Sequence, residues 1–201
     1  MATNMVRFGL KNVHYAVYTE GSSGGDGTYA TPKPIVGAVQ MTTTPEGDSY
    51  TFYADDVAFY ATETNAGYSG TLQVAAVNDD FLKDVLSYET DATSGLTYEA
   101  SDAVPKSVAL IYEVGGNVEQ QRGILYNVTF SRMEGENNTR ADTTEPDTVT
   151  LNFTAIGRNF TVSGATKNVV KAHCSNSGDE HDAYDNFLKK VVVPGTDPSG
   201  V

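Results

Sequence analysis

"SVALIYEVGGNVEQQRGILYNVTFSR", Ser107 to Arg132, is the stretch whose reading decides the fold. Its first limb alternates, with Val108, Leu110 and Tyr112 on one side of an extended chain. Its last limb repeats the rhythm at Ile124, Tyr126, Val128 and Phe130. Period two in a segment rich in Val, Ile, Tyr, Phe and Thr marks a half-buried strand, because successive side chains of a pleated backbone point to opposite faces. The glycines of "VGGN" (114–117) interrupt the extended run between the limbs.

The alternation recurs outward from there. "VHYAVYTE" sets Val13, Tyr15 and Val17 on one face, and "TVTLNFTAI" does the same with Val149, Leu151, Phe153 and Ala155. Further strands are expected at Val36 to Thr43, Gly70 to Val77 and Lys167 to His173. Polar breakers part them: "GSSGGDG" (21–27), "TPEGDS" (44–49) and "EGENNTRADTTEPD" (134–147). The expectation is a mainly β fold, an antiparallel β-sandwich or closed barrel, with a flanking α-helix. That helix is predicted at 78–89, "NDDFLKDVLSYE", with Asn78 as N-cap, Asp79 and Asp80 in the first turn, and Phe81, Leu82, Val85 and Leu86 as its apolar stripe. A second helical segment is expected in "DEHDAYDNFLKK" (179–190), its tail "VVVPG" returning to strand.

At 201 residues the chain fits a single domain, 1–201, with enough mass to bury a core without covalent staples. The lone Cys174 has no partner for an internal disulfide, and the first twenty residues carry no apolar run of secretory type, so a reducing cytosol is expected. No window approaches the roughly 20 apolar residues of a membrane span, so no membrane insertion is expected. Thirteen Lys and Arg against 26 Asp and Glu give a formal charge of -13. A chain that grips nucleic acid replaces phosphate counterions with cationic side chains, so tight nucleic-acid binding is disfavoured.

One segment is oddly aromatic. "YTFYADDVAFYAT", Tyr50 to Thr62, places Tyr50, Phe52, Tyr53, Phe59 and Tyr60 close together. If Asp55 and Asp56 form the turn of a hairpin, Phe52 faces Phe59, with Tyr50, Ala54, Val57 and Ala61 on the same face and Tyr53 and Tyr60 on the other. Asp-Asp is not among the preferred two-residue turns, which leaves open a register one residue away. Apolar side chains on both faces require cover on both sides, and a second chain is one way to supply it.

Candidate chemistry is thin. His14 sits mid-strand. His173 and Cys174 are neighbours on a strand and point to opposite faces, so they are poorly placed to share a metal ion. "DEHD" (179–182), with His181, reads as a charged helix start. Asp55-Asp56 and Asp79-Asp80 lack the spaced oxygen ligands and glycine of a calcium loop. "GSSGGDG" lacks the Lys-Ser/Thr ending and the helix of a phosphate cradle. No catalytic, cofactor-binding or metal set is therefore expected, and the chain is read as not an enzyme.

In order along the chain, "FYADD" (52–56), "NAGYSGTLQVA" (65–75), "NDDFLKDVLSYE" (78–89), "ALIYEVGGNVEQQRGILYNVTFSR" (109–132), "TEPDTVTLNFTAIGR" (144–158) and "YDNFLKKVVVPG" (184–195) resemble the major tail proteins, or tail-tube proteins, of long-tailed non-contractile bacteriophages. Asn78 stands where that pattern carries Pro, and the immunoglobulin-like C-terminal addition of some such proteins is not matched, so no adhesive role is carried over. The resemblance implies a structural virion protein assembled in the host cytoplasm. Six copies would close into a ring, and rings would stack into a hollow tail tube through which the genome leaves, with tape-measure, tail-tip and tail-terminator proteins as partners and DNA passing without specific binding. On that implication Thr44 to Gly67 is the long stacking loop, Tyr50, Phe52, Tyr53, Phe59 and Tyr60 are subunit-interface candidates, and "GSSGGDG" and the C-terminal arm 194–201 order on assembly. The alternative from another class is a carbohydrate-binding or adhesive β-sandwich using exposed Tyr and paired Asp. The chain contains no Trp, the broadest stacking platform for a sugar.

Overall fold

The computed structural model describes residues 9–21, 27–116, 120–134, 148–177 and 181–198, the side chain of His181 excepted. Most of the "GSSGGDG" arm, the polar run from 135 to 147, and the last three residues of the C-terminal arm lie outside them. In chain order the elements begin β1 (Leu10–Thr19), β2 (Thr28–Tyr29), β3 (Lys33–Pro34), β4 (Ala38–Glu46), β5 (Ser49–Ala54), β6 (Val57–Glu63) and β7 (Gly67–Val74). Then follow α1 (Asp79–Asp84), β8 (Glu89–Thr90), β9 (Thr97–Tyr98), β10 (Val108–Val114), β11 (Gln121–Phe130) and β12 (Val149–Ile156). The last are β13 (Arg158–Val162), β14 (Ala165–Val169), β15 (Lys171–Ser175) and α2 (His181–Asn186). The protein is mainly β and antiparallel, with two short helices among the described residues.

The main sheet runs β2-β1-β10-β11-β12-β7-β4, with β3 on the free edge of β1 and β15 on β11. Ile35 N–H donates to the Val13 carbonyl and Ala75 N–H to the Gly37 carbonyl, each at 2.8 Å. Residues 35–37 thus join β3, on β1, directly to β4, on β7, and the two ends of the sheet meet across three residues. A sheet rolled this way turns one face inward, and the core lies on that face of β1, β10, β11, β12 and β7.

That inner face collects Val13, Tyr15, Val108, Leu110, Leu125, Val128, Phe130, Leu151, Phe153 and Ala155, plugged by Phe81, Val85 and Leu86 from the α1 region. Tyr15, Phe81, Phe130 and Phe153 form a chain of edge-on ring contacts at 5.3, 5.2 and 5.7 Å. Burying one such ring contributes about 1.5–3 kcal/mol, so this row anchors the helix on the sheet. Tyr15 also donates to Asp84 (3.0 Å), which Lys33 meets at 2.5 Å. A second cluster covers the outer face of β1, β10 and β11, where Ala16, Ala109, Ile111, Ile124, Tyr126 and Cys174 pack under Tyr184 and Phe187 of the α2 region.

The expected faces hold for β1, β10 and β12 and fail for β11. Ile124 and Tyr126 lie in the outer cluster, whereas Val128 and Phe130 lie in the inner one. Between the pairs Leu110↔Leu125 and Val108↔Val128 the register shifts by one residue. This β-bulge reverses the parity of every later side chain, which a strict two-residue count cannot show.

Three element boundaries are corrected. The helix expected over 78–89 ends far sooner: Asn78 caps it, accepting from Phe81 N–H at 3.0 Å, but Ser87 adopts φ +60 and Tyr88 N–H closes back on the Leu82 carbonyl. A left-handed residue with that six-residue closure is a helix stop, and it falls here on Ser where Gly is usual. The strand expected over 167–173 is two strands. Val170 leaves the ladder between them, and its carbonyl takes the Tyr126 N–H. "VVVPG" does not return to strand, because Val191 and Val192 pack as coil against the outer cluster instead.

Candidate subunit interface

The aromatic hairpin grows out of the barrel as a continuation of one ribbon. β4 and β7 pair down to Glu46↔Gly67. Ala66 N–H then donates to Glu46 (2.8 Å) and Thr64 N–H to Asp48 (3.0 Å), after which Ser49↔Glu63 opens the β5–β6 ladder. Thr44 to Glu46, expected to lie in the loop, are still barrel strand. At about 3.3 Å per residue, β5 alone carries the arm roughly 20 Å outward.

Asp55 and Asp56 do form the turn, both left-handed at φ 51 and 59, as a two-residue hairpin turn matched to strand twist requires. The expected pairing of Phe52 with Phe59 is corrected: Phe52 pairs with Tyr60, Tyr53 with Ala58, and the register shift between them leaves Phe59 as the extra residue. Tyr50, Phe52 and Tyr60 therefore share a face, Tyr53 lies on the other, and Phe59 sits at a bulge. The physical reason is the same as in β11, one inserted residue that changes parity.

Every residue of β6, and of β5 except Ala54, is exposed. Phe59 is 74% accessible, Tyr53 66% and Phe52 47%, so none of these rings belongs to the protein's own interior. Isolated exposed apolar side chains are ordinary; a contiguous two-sided patch on a projecting ribbon is not, and it makes this hairpin the candidate contact surface.

The remaining polar candidates are structural in their surroundings. His14 is half-buried, and its Nδ1 lies 2.9 Å from the Asn12 carbonyl. His173 is exposed and Cys174 buried, on opposite faces of β15. Asp79 and Asp80 occupy the first turn of α1. Among the described residues no group of three or more His, Cys, Asp or Glu is placed to hold a metal ion.

The buried carboxylate that composition did not reveal is Glu113. Lys11 reaches it at 3.0 Å, Asn12 at 2.9 Å and Arg122 at 3.0 Å, and Arg122 in turn lies 3.9 Å over the Tyr184 ring. Burial by itself raises the Glu113 pKa, yet the hydrogen bonds from Asn12, Lys11 and Arg122 outweigh it and hold the carboxyl down at about 2. A carboxylate so depressed is a weak base at neutral pH and serves as a brace between β1, β10, β11 and α2.

No protein-family model matches this chain, and no curated protein matches it.

Proposed function

We propose that this chain is a structural subunit of a phage-type tail tube, six copies closing into a ring and rings stacking into a conduit for DNA. The observation that carries the reading is the β5–β6 arm, a ribbon with Tyr50, Phe52, Tyr53, Phe59 and Tyr60 all in water and no cover from its own barrel. Burying five such rings is worth about 8–15 kcal/mol gross. Association costs about 4–15 kcal/mol of lost freedom, so one arm contact roughly breaks even. Many contacts repeated around a closed ring change that balance, and permanent interfaces of about 2,000 Å² or more use this apolar, Tyr-rich kind of surface. The order of the family-like segments along the chain supports the same reading. Its partners would be its own copies and the tape-measure, tip and terminator proteins of a virion tail.

The test is to replace Phe52 and Phe59 by Ser together and follow both folding and polymerisation. Both rings are exposed, so the melting transition should move by only a few degrees. Rings or tubes in negative stain should disappear. Loss of the folded monomer would show that the rings serve an interior, and unchanged polymerisation would show that assembly does not use the arm.

A further inference from the structure

A pocket of about 470 Å³ opens between β1, β2, β13 and the 193–196 segment, walled by Tyr18, Tyr29, Phe160 and Pro194. Gly195, at φ +85, closes one side; a Cβ there would lie 2.3 Å from the Thr161 carbonyl. Arg158 lies in the wall. Its guanidinium lies 3.3 Å over the Tyr18 ring and donates to Ser107 Oγ (2.9 Å) and Asn127 Oδ1 (3.0 Å), both neutral acceptors. Its Nε is buried and has no hydrogen-bond partner, and no carboxylate among the described residues pairs with the side chain. In a chain with twice as many acids as bases, a half-buried arginine with an unpaired buried Nε and no counter-ion among the described residues is an unmet electrostatic demand.

The complementary feature is on the arm. Its tip presents Asp55 and Asp56 side by side, both exposed and both outside the ion pairs of the described residues, flanked by Tyr53 and Val57. We propose that the Arg158 pocket receives the β5–β6 tip of a second copy of this chain, the two carboxylates meeting the guanidinium while the flanking apolar side chains cover the Tyr18, Tyr29 and Phe160 rings. This rests on the tube-subunit reading and specifies which surfaces meet. The union is heterologous, tip into pocket, so each copy both gives and receives, which is the condition for a closed ring or an extended stack. Arg and Tyr are also the residue types that dominate interface energetics once a partner covers them.

The test is a cysteine pair in the full chain, Asp56→Cys with Thr161→Cys, an exposed position on the pocket rim; Cys174 is buried and stays. Mild oxidation should give a ladder of disulfide-linked oligomers that neither single variant gives. Adding Asp55→Asn, which removes the remaining charge at the tip, should cut the ladder about tenfold or more. A ladder together with rings or tubes supports both proposals. A ladder with open chains alone supports the tip–pocket contact and removes the tube reading. Rings or tubes without a ladder keep the tube reading and overturn the contact; neither product overturns both. A cross-link within one chain, or a ladder indifferent to Asp55→Asn, also overturns the contact as stated.

Discussion

Glu113 shows what a single side chain does in this fold. It is 2% exposed, yet it is held ionised by Lys11, Asn12 and Arg122, which come from β1 and β11. Its folded pKa, about 2, lies below the ordinary value of 4.5. The linkage sign follows: the stability it contributes is fully present above about pH 4.5 and is lost as pH falls towards 2. Glu113→Gln leaves Arg122 and Lys11 without their counter-charge and should cost about 3 kcal/mol or more at pH 7. Urea titrations at several pH values check this, and the acid decline of the variant should be shallower than that of the wild type. An equal loss at pH 3 and pH 7 would show that packing, not charge, sets the cost. Nothing local in "IYEVGG" announces this brace, because its partners arrive from segments about a hundred residues upstream and nine residues downstream.

At the scale of elements, local chemistry set the beginnings better than the ends. Asn78 caps α1 as its amide side chain predicts, whereas the stop at Ser87 depends on a left-handed residue that the apolar stripe of Phe81, Val85 and Leu86 does not reveal. The hairpin turn at Asp55-Asp56 is legible, and its bulge at Phe59 is not, since a bulge leaves the alternation looking intact. The turn carries two acids in the left-handed region, where Asn-Gly fits better. Asp55→Asn with Asp56→Gly should relieve about 1 kcal/mol of backbone cost and slow hydrogen exchange at the arm amides around Tyr53 and Ala58. The same double change should reduce polymerisation, because it removes the tip charges. Faster exchange would refute the conformational argument, and undiminished assembly would refute the electrostatic one.

For the whole molecule, charge is the controlling quantity. With a formal charge of -13, a wall built from this chain should repel a polyanion, and screening at about 8 Å confines that effect to the layer nearest the surface. Purified protein, free or assembled, should therefore not retard duplex DNA in a gel at physiological salt or at 50 mM salt. Retention that weakens steeply with added salt would reveal a cationic track and count against passive conduction.

The sequence by itself determined the mainly β, antiparallel character, the inward faces of β1, β10 and β12, the cap of α1, and the aromatic arm with its turn. All of these follow from side-chain period and local backbone preference, which act over a few residues. Tertiary structure alone decided the parity of β11 and β6, the break at Val170, the closure of the sheet through 35–37, the Glu113 brace and the Arg158 pocket. Tyr18, Tyr29, the β13 residues Arg158 and Phe160, and Pro194 come from separate parts of the chain, and the one signal available was an arginine in a strand of an acidic protein with no acid near it in sequence. Bulges, closures and pockets are set by which distant backbone groups find partners, and that is settled only when the sheet rolls up and every buried N–H and C=O must be satisfied at once.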